Sequence, residues 1–134
     1  MTTEIISFSL GVTSCYLIIG NDIVMVDAGL PNKLQLFKKI LSKHKIDPSR
    51  IKLIVLTHSH FDHCGSARDI RDLTGAKIAI HESEMECVER DKVLIPKGVN
   101  LRGKITQPLI FTFKIPFPKF PPDILLKNDP YPLS

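Results

Sequence analysis

Over residues 1–91, apolar runs of strand length alternate with stretches of helical spacing. Ile5, Ile6, Phe8 and Leu10 predict a strand over 4–10, and Cys15-Tyr16-Leu17-Ile18-Ile19 a second. Gly20-Asn21-Asp22 is a tight-turn signal, so a hairpin leads into Ile23-Val24-Met25-Val26-Asp27. That third run has few polar positions, which predicts burial on both faces, and Ala28-Gly29 ends it. Pro31 suits a first helical turn. Leu34, Phe37, Ile40 and Leu41 then recur at helical spacing over 32–44, with Lys33, Lys38, Lys39 and Lys43 mostly on the other side.

Asp47-Pro48-Ser49 breaks the chain before a strongly apolar strand over 51–56. A helix follows over 64–74 with Ala67, Ile70 and Leu73 inward, and Gly75 stops it. Residues 77–80 read as a short strand and 82–91 as a short helix. There is no internal repeat. The alternation predicts an α+β fold with α/β-like order, its helices packed on one face of a sheet.

Composition changes this picture at residue 92. Residues 1–91 hold 11 of the 18 Lys and Arg against 12 of the 14 Asp and Glu, so the net charge of +4 belongs to the tail. Eight of the ten prolines are also there, including Pro116, Pro118, Pro121 and Pro122. The expected organisation is a first part over 1–91 and a Pro-rich basic lid or connecting segment over 92–134, within the same domain. Residues 110–115 are a candidate strand, and the rest of the tail is expected to be extended or irregular. Its lysines and arginines interleave with Phe111, Phe113, Phe117 and Phe120. A solvated connection ranks first for this segment, substrate lining second, and stacking on nucleic acid third.

No apolar run reaches the roughly 18–20 residues of a membrane span, and 1–6 lack a basic stretch ahead of a long apolar one. Cys15, Cys64 and Cys87 are odd in number and irregular in spacing. They are expected to be reduced thiols of a cytoplasmic protein.

The densest chemistry is Thr57-His58-Ser59-His60-Phe61-Asp62-His63-Cys64-Gly65, which places three of the five histidines and an aspartate within six residues, directly after a buried strand. Imidazole nitrogen and carboxylate oxygen are the donors that zinc and similar divalent ions accept. His58 and His60, two apart on extended backbone, point the same way and reach one ion. Asp62 and His63 are adjacent, are expected to diverge, and suit a second ion beside the first. Two such ions share a water and lower its pKa. Gly65 is expected to let the backbone turn closely into the next helix. Cys64 offers a metal ligand or a redox thiol, but reads first as a small residue at a helix start.

Thr57-His58-Ser59-His60-Phe61-Asp62-His63 resembles the H-x-H-x-D-H signature of the metallo-β-lactamase superfamily. Val26-Asp27-Ala28-Gly29 looks like that family's earlier strand-end aspartate, and the helix at 64–74, Gly75-Ala76-Lys77 and Ile80-His81-Glu82 follow the expected order. The resemblance implies a four-layer αββα sandwich, of which this chain would be the N-terminal half. It implies that His58 and His60 bind a first metal and that Asp62 and His63 bind a second. It also gives Asp62 a catalytic role on the nucleophilic water or the leaving group, and Asp27 a supporting role behind the ligands. The cofactor implied is zinc, as two ions when the site is complete, with iron or manganese as alternatives. The implied activity is hydrolysis of an ester, thioester, lactone or similar bond in a small-molecule substrate.

The family's site also uses a third histidine, a bridging aspartate and a last histidine. His81 comes too early and reads as a structural or surface residue, and neither Asp123 nor Asp129 suits a bridge. The chain alone is therefore expected to bind metal weakly and to turn over little or no substrate. The half-sandwich is expected to leave an apolar sheet face and an unpaired edge, which favour self-association. The alternative function is a non-catalytic remnant or interaction module whose exposed sheet is covered by a partner or a second copy.

Overall fold

The computed structural model describes residues 2–57, 60–84 and 121–128. They form one mixed six-stranded sheet in sequence order. The strands are β1 (Glu4–Ser9), β2 (Ser14–Ile19), β3 (Ile23–Val26), β4 (Ile51–Val55), β5 (Lys77–His81) and β6 (Ile124–Leu126). Strands β1, β2 and β3 make an antiparallel meander, and β3 to β6 run parallel. Helix α1 (Leu34–Lys43) connects β3 to β4, and α3 (Ala67–Thr74) lies between β4 and β5, preceded by the single turn α2 (Phe61–Cys64).

Register decides which face each side chain joins. Ile6, Leu17, Met25, Ile54 and Ile78 are successive cross-strand partners and form one row. Leu17, Met25, Ile54 and Ile78 in that row are fully buried, in one cluster with Phe37 and Leu41 of α1 and Ala67 and Ile70 of α3. Both helices therefore cover the same face, as the alternation predicts. The opposite face carries Tyr16, Val26, Val55, Ala79 and Ile124 in one row and Ile18, Val24 and Leu53 in the next. Among these, Tyr16 is 39% exposed and the valines are only half-buried. The third strand thus has one sealed face rather than two. Its uniform apolar character reflects a second face that is apolar without being enclosed by described residues.

Helix boundaries differ from the periodicity at two places. Helix α1 begins at Leu34, because Asn32 takes a left-handed φ of 61° that no helix continues. No side chain of α1's own first turn caps it; the Lys33 N–H donates instead to Ser66 Oγ at 3.0 Å. The helix expected over 64–74 is two pieces, with Gly65 and Ser66 outside both. Gly75, at φ 74°, ends α3 in the left-handed conformation expected of it.

The helix expected over 82–91 is described only at Glu82–Glu84, a 3-10 turn, and the candidate strand at 110–115 lies outside the described residues. Strand β6 arises where the prolines predict irregular chain. Asp123 accounts for it: its carboxylate accepts the Ile78 N–H at 2.8 Å, its own N–H donates to the Ile78 carbonyl, and Arg71 donates to the Pro121 carbonyl at 2.7 Å. Three apolar residues behind two prolines have no period to read, and pairing with β5 extends them.

Ser66 is fully buried, and its hydroxyl donates to the Leu30 carbonyl at 2.6 Å while accepting from Lys33. Ser66→Ala strands both backbone groups, at a cost of about 1–3 kcal/mol. Urea denaturation should show that loss with an unchanged m-value.

Candidate metal centre

The parallel pairing of β3 and β4 sets their C-terminal ends side by side, and the candidate site grows from those ends. Asp27, the first residue after β3, donates its N–H to the Val55 carbonyl at 2.9 Å and takes a φ of 63°. That backbone costs on the order of 1–3 kcal/mol for a residue with a Cβ, although a short polar side chain such as Asp tolerates it best. The conformation turns the carboxylate, 4% exposed, under the loop that follows β4. There Oδ1 accepts the Thr57 N–H and the Thr57 hydroxyl, each at 2.9 Å, and Oδ2 lies 3.0 Å from His63 Nδ1. Hydrogen bonds to an ionised carboxylate contribute about 1.5–3 kcal/mol each, so the set offsets the backbone strain.

An ionised carboxylate only accepts, so the His63 proton sits on Nδ1. Nε2 is then the nitrogen with a lone pair, and it lies 3.7 Å from Asp62 Oδ2. Two ligands of one tetrahedral zinc are separated by about 3.4 Å, given bonds near 2.1 Å. Asp62 and His63 thus converge rather than diverge. The expectation of divergence treats adjacent residues as though on a strand; α2 is a helical turn, where neighbours are about 100° apart. A buried carboxylate that holds one nitrogen of a histidine, as Asp27 holds His63 Nδ1, is the arrangement that orients metal ligands in general. The two residues fit a divalent ion with nitrogen and oxygen preference.

His60 caps α2 in extended backbone (φ −63°, ψ 143°), and its carbonyl accepts the N–H groups of His63 and Cys64. His58 lies outside the described residues, so its pairing with His60 has no geometry here. Among the described residues, no three His, Cys, Asp or Glu side chains stand where they could share one ion. His81 is engaged elsewhere: Nδ1 accepts the Ser83 N–H and meets Ser83 Oγ at 2.8 Å, and Nε2 meets Asn128 Oδ1 at 3.0 Å. Asp123 is spent on β5. His81 thus occupies the structural place read for it, and Asp123 holds the sheet edge.

The loop is held from below by main chain. Ala28 N–H donates to the His63 carbonyl at 2.6 Å, Gly65 N–H to Gly29 at 2.8 Å, and Ser66 N–H to Ala28 at 3.3 Å. Gly65 itself has ordinary helical angles, φ −59° and ψ −38°. Its lack of a side chain matters for a different reason than turning: a Cβ there would overlap the backbone of Leu30 and Pro31. Thr57 and Ser66, which carry much of this scaffold, have no distinguishing sequence signal, because their partners are about thirty residues away.

Cys64 is buried and donates its thiol to the His60 carbonyl at 3.2 Å. Burial foremost, then the Asp27 and Asp62 charges, push that thiol far above its ordinary range. Burial and the Asp27 charge push Cys15 up to about 12. Both cysteines are free thiols, neither is a thiolate at neutral pH, and Cys64 packs as a small apolar residue. Cys87 lies outside the described residues.

With that geometry in place, likeness to known proteins identifies its setting. A family profile described as "Metallo-beta-lactamase superfamily" matches residues 9–128, and the chain belongs to that superfamily. Among named relatives, the "Probable metallo-hydrolase YflN" of Bacillus subtilis is 32% identical over 65 residues, 48% of this chain and 25% of that protein. The "Uncharacterized protein Rv2581c" of Mycobacterium tuberculosis is 31% identical over 74 residues, 53% of this chain and 31% of that one. Among solved structures, the subclass B3 metallo-β-lactamase BJP-1 of Bradyrhizobium japonicum superposes with a TM-score of 0.64 at 23% identity. That match covers 85% of this chain and 39% of BJP-1. MIM-1 of Novosphingobium pentaromativorans gives 0.65 at 23% identity, over 85% and 38%. These likenesses establish the α+β metallo-β-lactamase fold. The chain spans a quarter to a third of these curated relatives and about two fifths of the solved structures. No helix among the described residues is long and apolar enough to cross a membrane.

Two outcomes follow. In Asp27→Asn the amide oxygen stays with Thr57 and the NH2 group faces His63, which forces the proton to Nε2; long-range 1H–15N correlation should show this tautomer exchange in a protein that remains folded. The Cys15 and Cys64 thiols should resist alkylation at pH 8 until denaturant is added. Stability should fall as pH rises from about 9 toward 12, because the unfolded chain releases thiol protons that the folded chain retains.

Proposed function

We propose that this chain carries part of the active site of a metal-dependent hydrolase, with zinc the best-fitting ion. The single observation that supports this most is the Asp27–His63–Asp62 arrangement: a buried carboxylate sets the His63 tautomer, and His63 Nε2 and Asp62 Oδ2 come within 3.7 Å of each other. Asp62 and His63 hold one ion, and His58 and His60 hold the other. Bound there, the metal supplies Lewis acidity and a water-derived nucleophile at neutral pH. The residues of this chain do the rest. Asp27 orients His63, Thr57 fixes Asp27 to the loop, and Asp62 handles a proton of the water or the leaving group. The bond class is an ester, thioester, lactone or similar carbonyl or phosphoryl linkage. Residues 92–134 serve as a lid or connecting segment of the same domain.

The chain alone binds zinc weakly and turns over little substrate, because catalytic zinc ordinarily has three protein ligands plus water. A second reading, an interaction module, is favoured by the half-buried apolar face built from Tyr16, Ile18, Val24, Val26, Leu53 and Val55. Zinc titration with a chromophoric competitor, on a preparation sized by light scattering, tests both. Micromolar or weaker zinc binding that drops at least about tenfold in His63→Ala supports the hydrolase reading. Zinc-independent self-association with no metal uptake would replace it by the module.

A further inference from the structure

The hairpin turn joining β1 to β2 reaches the candidate centre without contributing a ligand. Residues 10–13 lie across the loop that follows Asp27. Leu30 N–H donates to the Leu10 carbonyl at 2.9 Å, and Gly29 is so close to Leu10 that a Cβ there would overlap it. Gly11, at φ +123°, sits against the Leu30 side chain with no room for a Cβ of its own. Ser9 closes the turn by donating its hydroxyl to the Gly11 carbonyl at 2.9 Å. Two glycines thus let one loop lie directly on another. The result delivers Thr13, part-buried, to α2, where its hydroxyl donates to the Asp62 main-chain carbonyl at 2.5 Å.

We propose that Thr13 is a positioning residue for Asp62: its hydroxyl, brought from the β1–β2 turn, anchors the Asp62 carbonyl and so holds the Asp62 carboxylate toward His63 Nε2. The proposal rests on the reading of Asp62 and His63 as metal ligands. Asp62 is held on two sides. Its successor His63 is tied through its carbonyl to Ala28 and through Nδ1 to Asp27. Asp62's own carbonyl is tied to Thr13. Because α2 is a single turn, its internal hydrogen bonds alone restrain it weakly. A bond from a segment 49 residues away in sequence limits how far the turn can rotate. A carboxylate displaced by even an ångström forfeits its place in a metal's coordination, and partners that orient ligands typically change metal affinity about 10–100-fold.

Thr13→Val keeps shape and removes the donor, and Thr13→Ser restores it. In the metal-free full chain, Thr13→Val should displace the amide resonances of His63, Cys64 and Ala28, and Thr13→Ser should return them to the wild-type positions. With zinc, Thr13→Val should weaken binding about tenfold or more, with Thr13→Ser near wild type. Leu73→Ala, which loosens packing on the helical face away from the loop, serves as the stability control and should leave zinc affinity unchanged. Unmoved resonances in Thr13→Val, or an equal affinity loss in Leu73→Ala, would overturn the proposal. If the wild-type chain takes up no zinc, the hydrolase reading fails; the metal-free resonances then decide Thr13 on their own, displacement with rescue by Ser upholding it and no displacement rejecting it.

Discussion

The candidate centre depends on one buried carboxylate. Asp27 joins three pieces of chain that are remote in sequence: the end of β3, the loop after β4 through Thr57, and α2 through His63. Burying a charge is costly unless it is paired and hydrogen-bonded; here Thr57 and His63 meet that cost, and the His63 bond also orients the imidazole. The left-handed backbone of Asp27 is part of the same arrangement. It aims the side chain beneath the loop rather than along the sheet, and the strain is sustained because the surrounding bonds over-determine it.

Main-chain packing provides the second constraint. The segment Ala28–Gly29 accepts and donates to residues 63–66 as though it were a short additional strand, and Ser66 closes the far end by serving both Leu30 and Lys33. Two glycines make room around this contact: Gly65 lies against the backbone of Leu30 and Pro31, and Gly29 against Leu10, where a Cβ would overlap in each case. The sheet contributes by making β3 and β4 parallel neighbours, so that both carry their chemistry to the same end. The helices cover the opposite requirement, sealing one face of the sheet. The other face remains apolar and half-exposed among the described residues of β2, β3 and β4.

Much of the architecture was legible in the residues. The five strands through residue 81, α1 and the C-terminal stop at Gly75 follow from apolar spacing and glycine placement, since these are properties of local chain and of which side of an element is buried. Strand β6 was not legible, because it exists through Asp123 and its pairing with β5 rather than through any pattern of its own. The break of the 64–74 helix was hidden for a similar reason: it is set by contacts of residues 65 and 66 with the 28–33 loop.

The amino-acid sequence by itself determined the superfamily and the donor types, because a dense His and Asp cluster after a buried strand is a local signal that needs no partner to be recognised. It also placed an aspartate at a strand end. Only the tertiary structure decided that this aspartate orients His63, that Asp62 and His63 converge, and that Thr13, Thr57 and Ser66 belong to the same construction. Those relations are hydrogen bonds across separations of tens of residues, and their existence depends on strand register and loop packing, neither of which is encoded in the neighbourhood of the residues they join.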